Sequence, residues 1–205
     1  MHIEDIILPA IKPTHEDEKC GTFIIEPLYP GYGMTVGNAL RRVLLSSLPG
    51  AAVTAIKIDG ISHEFSALPG IKEDALQVVL NLKALRVAIH QGDIHRLQLS
   101  VKGAREVTAK DIKTSADVDI LNDDLYLFTT TKKDAHCDIE IEVQRGRGYI
   151  TVHERGEKRP IGEIAVDALF APIIKVSYAV ENTRVGQVTN YDKITIDIET
   201  NGTVS

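Results

Sequence analysis

The run Gly31-Tyr-Gly-Met-Thr-Val-Gly37 has a spacing that could cradle a phosphate, because backbone N–H groups at a helix N-terminus attract anions. The pattern G-x-G-x-x-x-G nevertheless departs by one residue from the dinucleotide fingerprint. Pro27 and Pro30 separate it from the preceding strand, and no Gly-Lys-Ser/Thr follows. Asp59, at the end of a later strand, imitates a ribose-binding carboxylate without the rest of that motif. The glycines read better as a tight turn that lets a helix pack closely. A small-molecule or nucleotide-binding enzyme using the Gly31–Gly37 turn is the alternative function.

Other reactive side chains are less well grouped. His90 and His95 fall in a strand-turn region, His63 stands alone, and His136 adjoins Cys137 on a strand, where neighbours face opposite ways. No metal set is expected, and no cofactor. Ser46-Ser47 precede Pro49 with no His or Asp at triad spacing, and no carboxylate pair stands in apolar surroundings as a general acid and base. No catalytic residue is expected. Arg145-Gly-Arg-Gly-Tyr149 suits a flexible loop docking on an acidic protein surface better than a nucleic-acid backbone, since 23 basic residues face 29 acidic ones and net charge is −6. Arg41 and Arg42, between Leu40 and Val43, must find partners wherever they are covered, because a buried unpaired charge is prohibitive. Planar guanidinium forks suit interface carboxylates and carbonyls.

At 205 residues, 43% hydrophobic and 25% charged, the chain has room for one or two domains. No apolar run approaches the ~20 residues of a membrane span, and the N-terminus lacks a signal-peptide pattern. Cys20 and Cys137 sit in dissimilar contexts and are expected to be reduced thiols in a cytoplasmic protein.

The arginines and glycines are carried by a predicted helix between the Gly-rich turn and Pro49-Gly50, with Thr35 as its N-cap. Val36, Ala39, Leu40, Val43 and Leu44 form its apolar stripe, and Leu45 and Leu48 widen it onto a second face. Burying each large apolar side chain is worth roughly 1.5–3 kcal/mol, so two apolar faces imply two partners, the helix's own sheet and something outside the chain.

Around that helix, residues 1–20 read as an irregular arm, and Thr22–Ile25 as a short strand stopped by Pro27. Ala52–Ile58 alternates as a strand, with Asp59-Gly60 turning into a hairpin partner, Ile61–Phe65. Glu73–Lys83 is a second predicted helix with Ala75, Leu76, Val79, Leu80 and Leu82 on its apolar face. Short strands follow at Leu85–Ile89, Leu97–Val101, Asp117–Ile120, Leu125–Phe128 and Ile139–Val143. Ile173–Val180 and Lys193–Glu199 alternate cleanly and are expected to form an antiparallel pair covered by the first helix.

Gly31 to Gly50 with Ala52 to Phe65 resembles the N-terminal assembly and dimerisation domain of the bacterial DNA-directed RNA polymerase alpha subunit. Glu73-Asp-Ala-Leu, Asn81-Leu-Lys83, Val143 to Tyr149, Arg159-Pro-Ile-Gly162 and Glu199-Thr-Asn-Gly202 continue the resemblance in the family's order. The resemblance implies an α+β fold. A discontinuous dimerisation domain of helices on an antiparallel sheet, residues 1–49 and 173–205, is interrupted by a β-rich α+β domain, 50–172, that contacts large subunits. It implies a non-catalytic subunit of a nucleotidyltransferase complex, which dimerises and serves in transcription as the assembly platform for the beta and beta prime subunits. DNA is met only through that complex, and no membrane is involved. Carried onto this sequence, Arg42 and Leu45 match positions that dock beta, and Lys83 and Val166 match positions that dock beta prime. Tyr32, Val36, Leu40 and Val43 fall where the family's dimer helices cross. The family's second dimerisation helix would begin just after Gly202, so a chain ending at Ser205 reads as either a truncated piece or a shortened form. Weak or concentration-dependent dimerisation is the expectation.

Overall fold

A computed structural model of the chain describes residues 8–156 and 159–204. It is an α+β fold with far more strand than helix. In chain order the first elements are β1 (Ala10–Glu16), β2 (Cys20–Leu28), α1 (Tyr32–Ser46), β3 (Pro49–Ile58), α2 (Ala75–Lys83) and β4 (Val87–Ile89). Then come β5 (Ile94–Lys102), β6 (Glu106–Thr108), β7 (Ile112–Lys113), β8 (Val118–Ile120), β9 (Tyr126–Thr129) and β10 (His136–Arg147). The last are β11 (Tyr149–Ile150), α3 (Val152–Arg155), β12 (Glu163–Ala165), β13 (Ala168–Leu169), β14 (Ile173–Val185) and β15 (Val188–Thr200).

These elements divide into two compact units. Described residues up to Leu48 and from Pro172 onward form one, and Pro49–Ala171 form the other. The first is an antiparallel four-stranded sheet, β1-β2-β15-β14, with α1 on one face. Its core joins both ends of the sequence, because Ile25 and Leu28 of β2 pack with Ile173 and Val176 of β14 and with Ile194 and Ile196 of β15. Val36, Leu40, Leu44, Leu45 and Leu48 of the α1 region cover that cluster from above.

Two expectations about its strands fail in this unit. The arm is not irregular throughout, since β1 lies along β2 at the sheet edge. Pro13 is tolerated there because an edge strand leaves every second N–H without a ladder partner. Nor does Pro27 stop the strand. β2 runs on to Leu28, with a register irregularity opposite Asp192/Ile194 that accommodates the missing N–H. Residues 1–7 of the arm lie outside the described residues.

The second unit is built on a larger sheet in the order β7-β5-β10-β3-β4-β8, with β12 also paired to β3. Strict alternation buries Leu97, Leu99 and Val101 of β5 and Ile139, Ile141 and Val143 of β10 on one face. α2 closes that face with Ala75, Val78, Val79 and Leu82. The predicted hairpin into Ile61–Phe65 does not form. Both sides of β3 are already taken at Lys57, which pairs with Glu140 of β10 and Glu163 of β12, and the Asp59 amide donates to the Asp138 carbonyl. With no free edge to join, 61–65 turns away from the sheet.

Candidate docking faces

The glycines of the opening motif act by closeness. A Cβ on Gly33 would lie 2.6 Å from Val180 Cγ1, and one on Gly37 would lie 2.6 Å from the Tyr178 ring. These two glycines, followed by half-buried Leu40 and Leu44, form the line on which α1 rests against its sheet. The helix is therefore rotated from the expected orientation. Leu45 and Leu48 join the unit's own core, whereas Ala39 and Val43 turn outward. Counting large side chains missed this, because the closest approach is made where there is no side chain at all.

Thr35 is not the N-cap. The helix starts after Gly31, whose φ of 85° is the left-handed conformation that favours glycine, and Gly31 offers no side-chain cap. The cap comes from the far end of the sequence. Asp192 Oδ2 accepts from the Gly31 and Gly33 amides at 2.9 and 2.8 Å. The carboxylate is buried and lies in phase with Ile194 and Ile196 on the inward face of β15. The place where a phosphate would sit is thus filled by the chain's own anion, which argues against the nucleotide alternative.

On the outward side of α1, Tyr32, Thr35, Ala39, Arg42 and Val43 share one face at helical spacing. Tyr32 is 60% exposed, the neighbouring Met34 61% and Val43 52%. Met34, Thr35, Asn38, Ala39, Arg42 and Val43, with Tyr178, line an open groove of about 710 Å³. Arg41 and Arg42 are both exposed, so neither charge burdens the core. Of the positions assigned to the dimer, Tyr32 and Val43 stand outward while Val36 and Leu40 are half-buried in the unit's core. Leu45 is half-buried there too, beside exposed Arg42. Ser46 is structural, its hydroxyl donating to the Arg42 carbonyl at 2.7 Å.

The second unit presents a different face. α2 is capped by Asp74, which accepts from the Gln77 amide at 2.7 Å, and it begins two residues later than expected. Glu73 is used instead on β9, where it accepts from the Thr129 amide at 2.8 Å and from the Tyr126 hydroxyl. Leu76 and Leu80 were expected inside but are 37% and 55% exposed, and Val78 instead joins the expected Ala75, Val79 and Leu82 in the core. Lys83, in the last turn, complements the negative end of the helix.

Lys83 and the 166–167 segment come together here. The Val152 amide donates to Asp167 Oδ1 at 2.8 Å, and the Tyr149 hydroxyl donates to Oδ2 at 3.2 Å. That amide first, then the tyrosine, Lys83 and Arg155, hold the Asp167 carboxyl below the usual range against slight desolvation. Val166 itself is buried. Its amide donates to the Thr54 carbonyl at 3.0 Å and its carbonyl accepts from the Arg155 guanidinium, so the accessible groups beside it are half-buried Asp167 and exposed Tyr149 and Leu169.

Arg145 to Tyr149 is not the expected flexible loop. Arg145 and Arg147 belong to β10, and the Arg145 guanidinium donates to the Ile89 and His90 carbonyls at 2.5 and 3.0 Å. His15, His90 and His136 each pair with one carboxylate, His90 with Asp119 at 2.7 Å, whereas His63 meets the Ser66 hydroxyl and His95 the Gln91 carbonyl. Among the described residues, no group of three or more His, Cys, Asp or Glu side chains is arranged to hold a metal ion. No helix there is long and apolar enough to cross a membrane.

Comparison with known proteins finds similarity along nearly the whole chain. The chain is 48% identical over 202 residues to the DNA-directed RNA polymerase subunit alpha of Moorella thermoacetica, covering 98% of this chain and 64% of that protein. It is 50% identical over 200 residues to the alpha subunit of Roseiflexus sp., covering 98% and 62% of the two chains. With the alpha subunit of Symbiobacterium thermophilum it shares 52% identity over 190 residues, covering 92% and 60%. The chain thus spans somewhat less than two thirds of these relatives. Residues 56–171 match the family model described as the RNA polymerase Rpb3/RpoA insert domain. Matched over more than half its length, and resembling alpha subunits along nearly all of it, the chain belongs to the RNA polymerase alpha-subunit family.

Proposed function

We propose that this chain dimerises and acts as the assembly platform for the beta and beta prime subunits of a DNA-directed RNA polymerase, with no turnover of its own. The observation that carries the proposal is the outward face of α1. That helix is already anchored on its own sheet, yet it holds Tyr32, Ala39 and Val43 in solvent beside Arg42. Exposed apolar side chains rimmed by a guanidinium suit a protein partner.

In this reading the unit containing α1 is the dimerisation domain. Tyr32, Val36, Leu40 and Val43 lie at the helix crossing, and Arg42 and Leu45 dock beta. The unit from Pro49 to Ala171 meets the large subunits. Lys83 docks beta prime directly, while Val166 acts by fixing the backbone that presents Asp167 beside it. DNA is reached only through the complex, which works in the cytoplasm.

Sedimentation over a concentration series, followed by co-purification with beta and beta prime, tests the proposal. A concentration-dependent dimer that retains both large subunits is the expected result. A chain that stays monomeric and captures neither overturns it.

A further inference from the structure

We propose that Asp192 is the positioning residue of the α1 docking face, an inference that rests on the docking reading above. A helix begins with four amides that lack intrahelical partners, and side chains near the start usually supply acceptors. α1 has no such supply: its N-cap is Gly31, and its first turn holds no acidic residue. Asp192, 159 residues beyond Gly33 in sequence, provides the acceptor through one carboxylate oxygen shared by the Gly31 and Gly33 amides.

The carboxylate is only 7% exposed, in phase with the core isoleucines of β15. A buried anion there is stabilised by charge-assisted hydrogen bonds and by the positive end of the helix. The fit leaves little play, since a Cβ on Gly33 would lie 2.9 Å from Asp192 Oδ2. Tyr191, the adjacent residue, meets Tyr29 ring to ring at 5.6 Å, and Tyr29 in turn lies 6.4 Å from Tyr32. Asp192 and Tyr191 thus grip the turn from which the exposed face begins. The far end of α1 is held differently, by Leu44, Leu45 and Leu48 packed against the unit's core, with no basic residue in its last turn and Ser47 as its C-cap. The Asp192 end therefore fixes where the helix starts, and with it the placement of Tyr32 and of the turns that carry Ala39, Arg42 and Val43.

Asp192→Asn and Asp192→Ala in the whole chain separate positioning from plain stability. Asparagine keeps the size and one acceptor but loses the charge; alanine leaves both amides without an acceptor. Amide exchange reports Gly33 and the paired strands β2 and β15 separately, while dimer dissociation and beta capture are measured well below the unfolding midpoint. Removing a helix cap should let the Gly33 amide exchange about tenfold faster and weaken assembly about tenfold in Asp192→Ala. Strand protection should persist, and Asp192→Asn should fall between alanine and wild type. If Asp192→Ala does not fold, Asp192→Asn carries the comparison. Wild-type assembly with Gly33 deprotected overturns the proposal, as does assembly that falls only in step with the folded fraction. A wild-type chain that neither dimerises nor captures beta overturns the docking reading and this role together. A competent wild type with indifferent variants removes only the role of Asp192.

Discussion

Gly37 lies so close to Tyr178 that a Cβ would come within 2.6 Å of ring atom Cδ2 and 3.1 Å of Cγ. The contact is with the root of the half-buried ring, which packs against the core of the sheet, so the backbone or the ring must shift to admit a Cβ. In an exposed helix, Gly→Ala is favourable by up to about 1 kcal/mol. Here the overlap reverses the sign, because overpacking a core costs about 1–3 kcal/mol. Gly37→Ala is expected to lower stability in urea or thermal unfolding and to weaken dimerisation in the same protein, since α1 must lift from its seat. An unfolding midpoint equal to or above wild type would show that the helix does not rest on this contact.

Arg42 stands on the exposed side of α1, away from the unit's core, so its loss should leave folding and dimerisation nearly intact. Truncating one partner of a desolvated charge pair costs roughly 2–5 kcal/mol, so Arg42→Ala should lower beta capture by one to several orders of magnitude. Arg42→Lys should recover part of it, because an ammonium cannot reproduce a bidentate fork. Pull-down of beta by samples matched for dimer content is the measurement. Equal recovery by Arg42→Ala removes this residue from the docking face.

Arg159 joins two strands of the larger sheet, meeting Glu142 of β10 at 2.9 Å and Glu163 of β12 at 3.4 Å. Burial pushes the Glu142 carboxyl up, but the hydrogen bond and charge of Arg159, helped by Thr54 and Gln144, hold it below the usual glutamate range. A depressed folded-state pKa contributes stability above the unfolded value of about 4.3, which is lost as pH falls through the lower folded value. Stability should therefore be flat from neutrality to about pH 5 and then fall. Arg159→Met should cost about 1–3 kcal/mol at pH 7, since it leaves Glu142 and Glu163 with only the half-exposed Arg96 at 3.5 and 3.7 Å, and should flatten the acid limb. Urea midpoints for both proteins between pH 7 and pH 3.5 decide it.

The two cysteines are free and differ in access, Cys20 being exposed and Cys137 buried. Burial, with Asp138 and Asp59 nearby, pushes the Cys137 thiol up to about 11. A raised folded-state pKa means that its contribution is complete below the unfolded value of about 8.5 and fades as pH rises toward the folded one. Native protein at pH 8 should take up one equivalent of iodoacetamide, at Cys20, and denatured protein two. Rapid native labelling of Cys137 would show that the β10 face opens. Replacing both with alanine should shift the unfolding midpoint no more than an ordinary core substitution does.

Much of this architecture was written in local pattern. Alternation marked β5, β10, β14 and β15, because a strand with one buried face must repeat every second residue. The glycines of α1 carried their use in their spacing, Gly33 and Gly37 being one helical turn apart on the face that meets the sheet. What the sequence could not decide was which neighbour would claim each group. Ile61–Phe65 looks like a hairpin strand until Glu140 and Glu163 have taken both sides of Lys57. Leu76 and Leu80 look like core residues until Val78 takes the sheet face beside Val79. Asp192 shares the phase of Ile194 and Ile196, which hints at burial, but an inward carboxylate has a purpose only when a helix start lies opposite it. That helix start is separated from it by the whole second unit in sequence. Only closure of both chain ends into one sheet brings the anion to the amides, because hydrogen bonds act over about 3 Å whatever the distance along the chain.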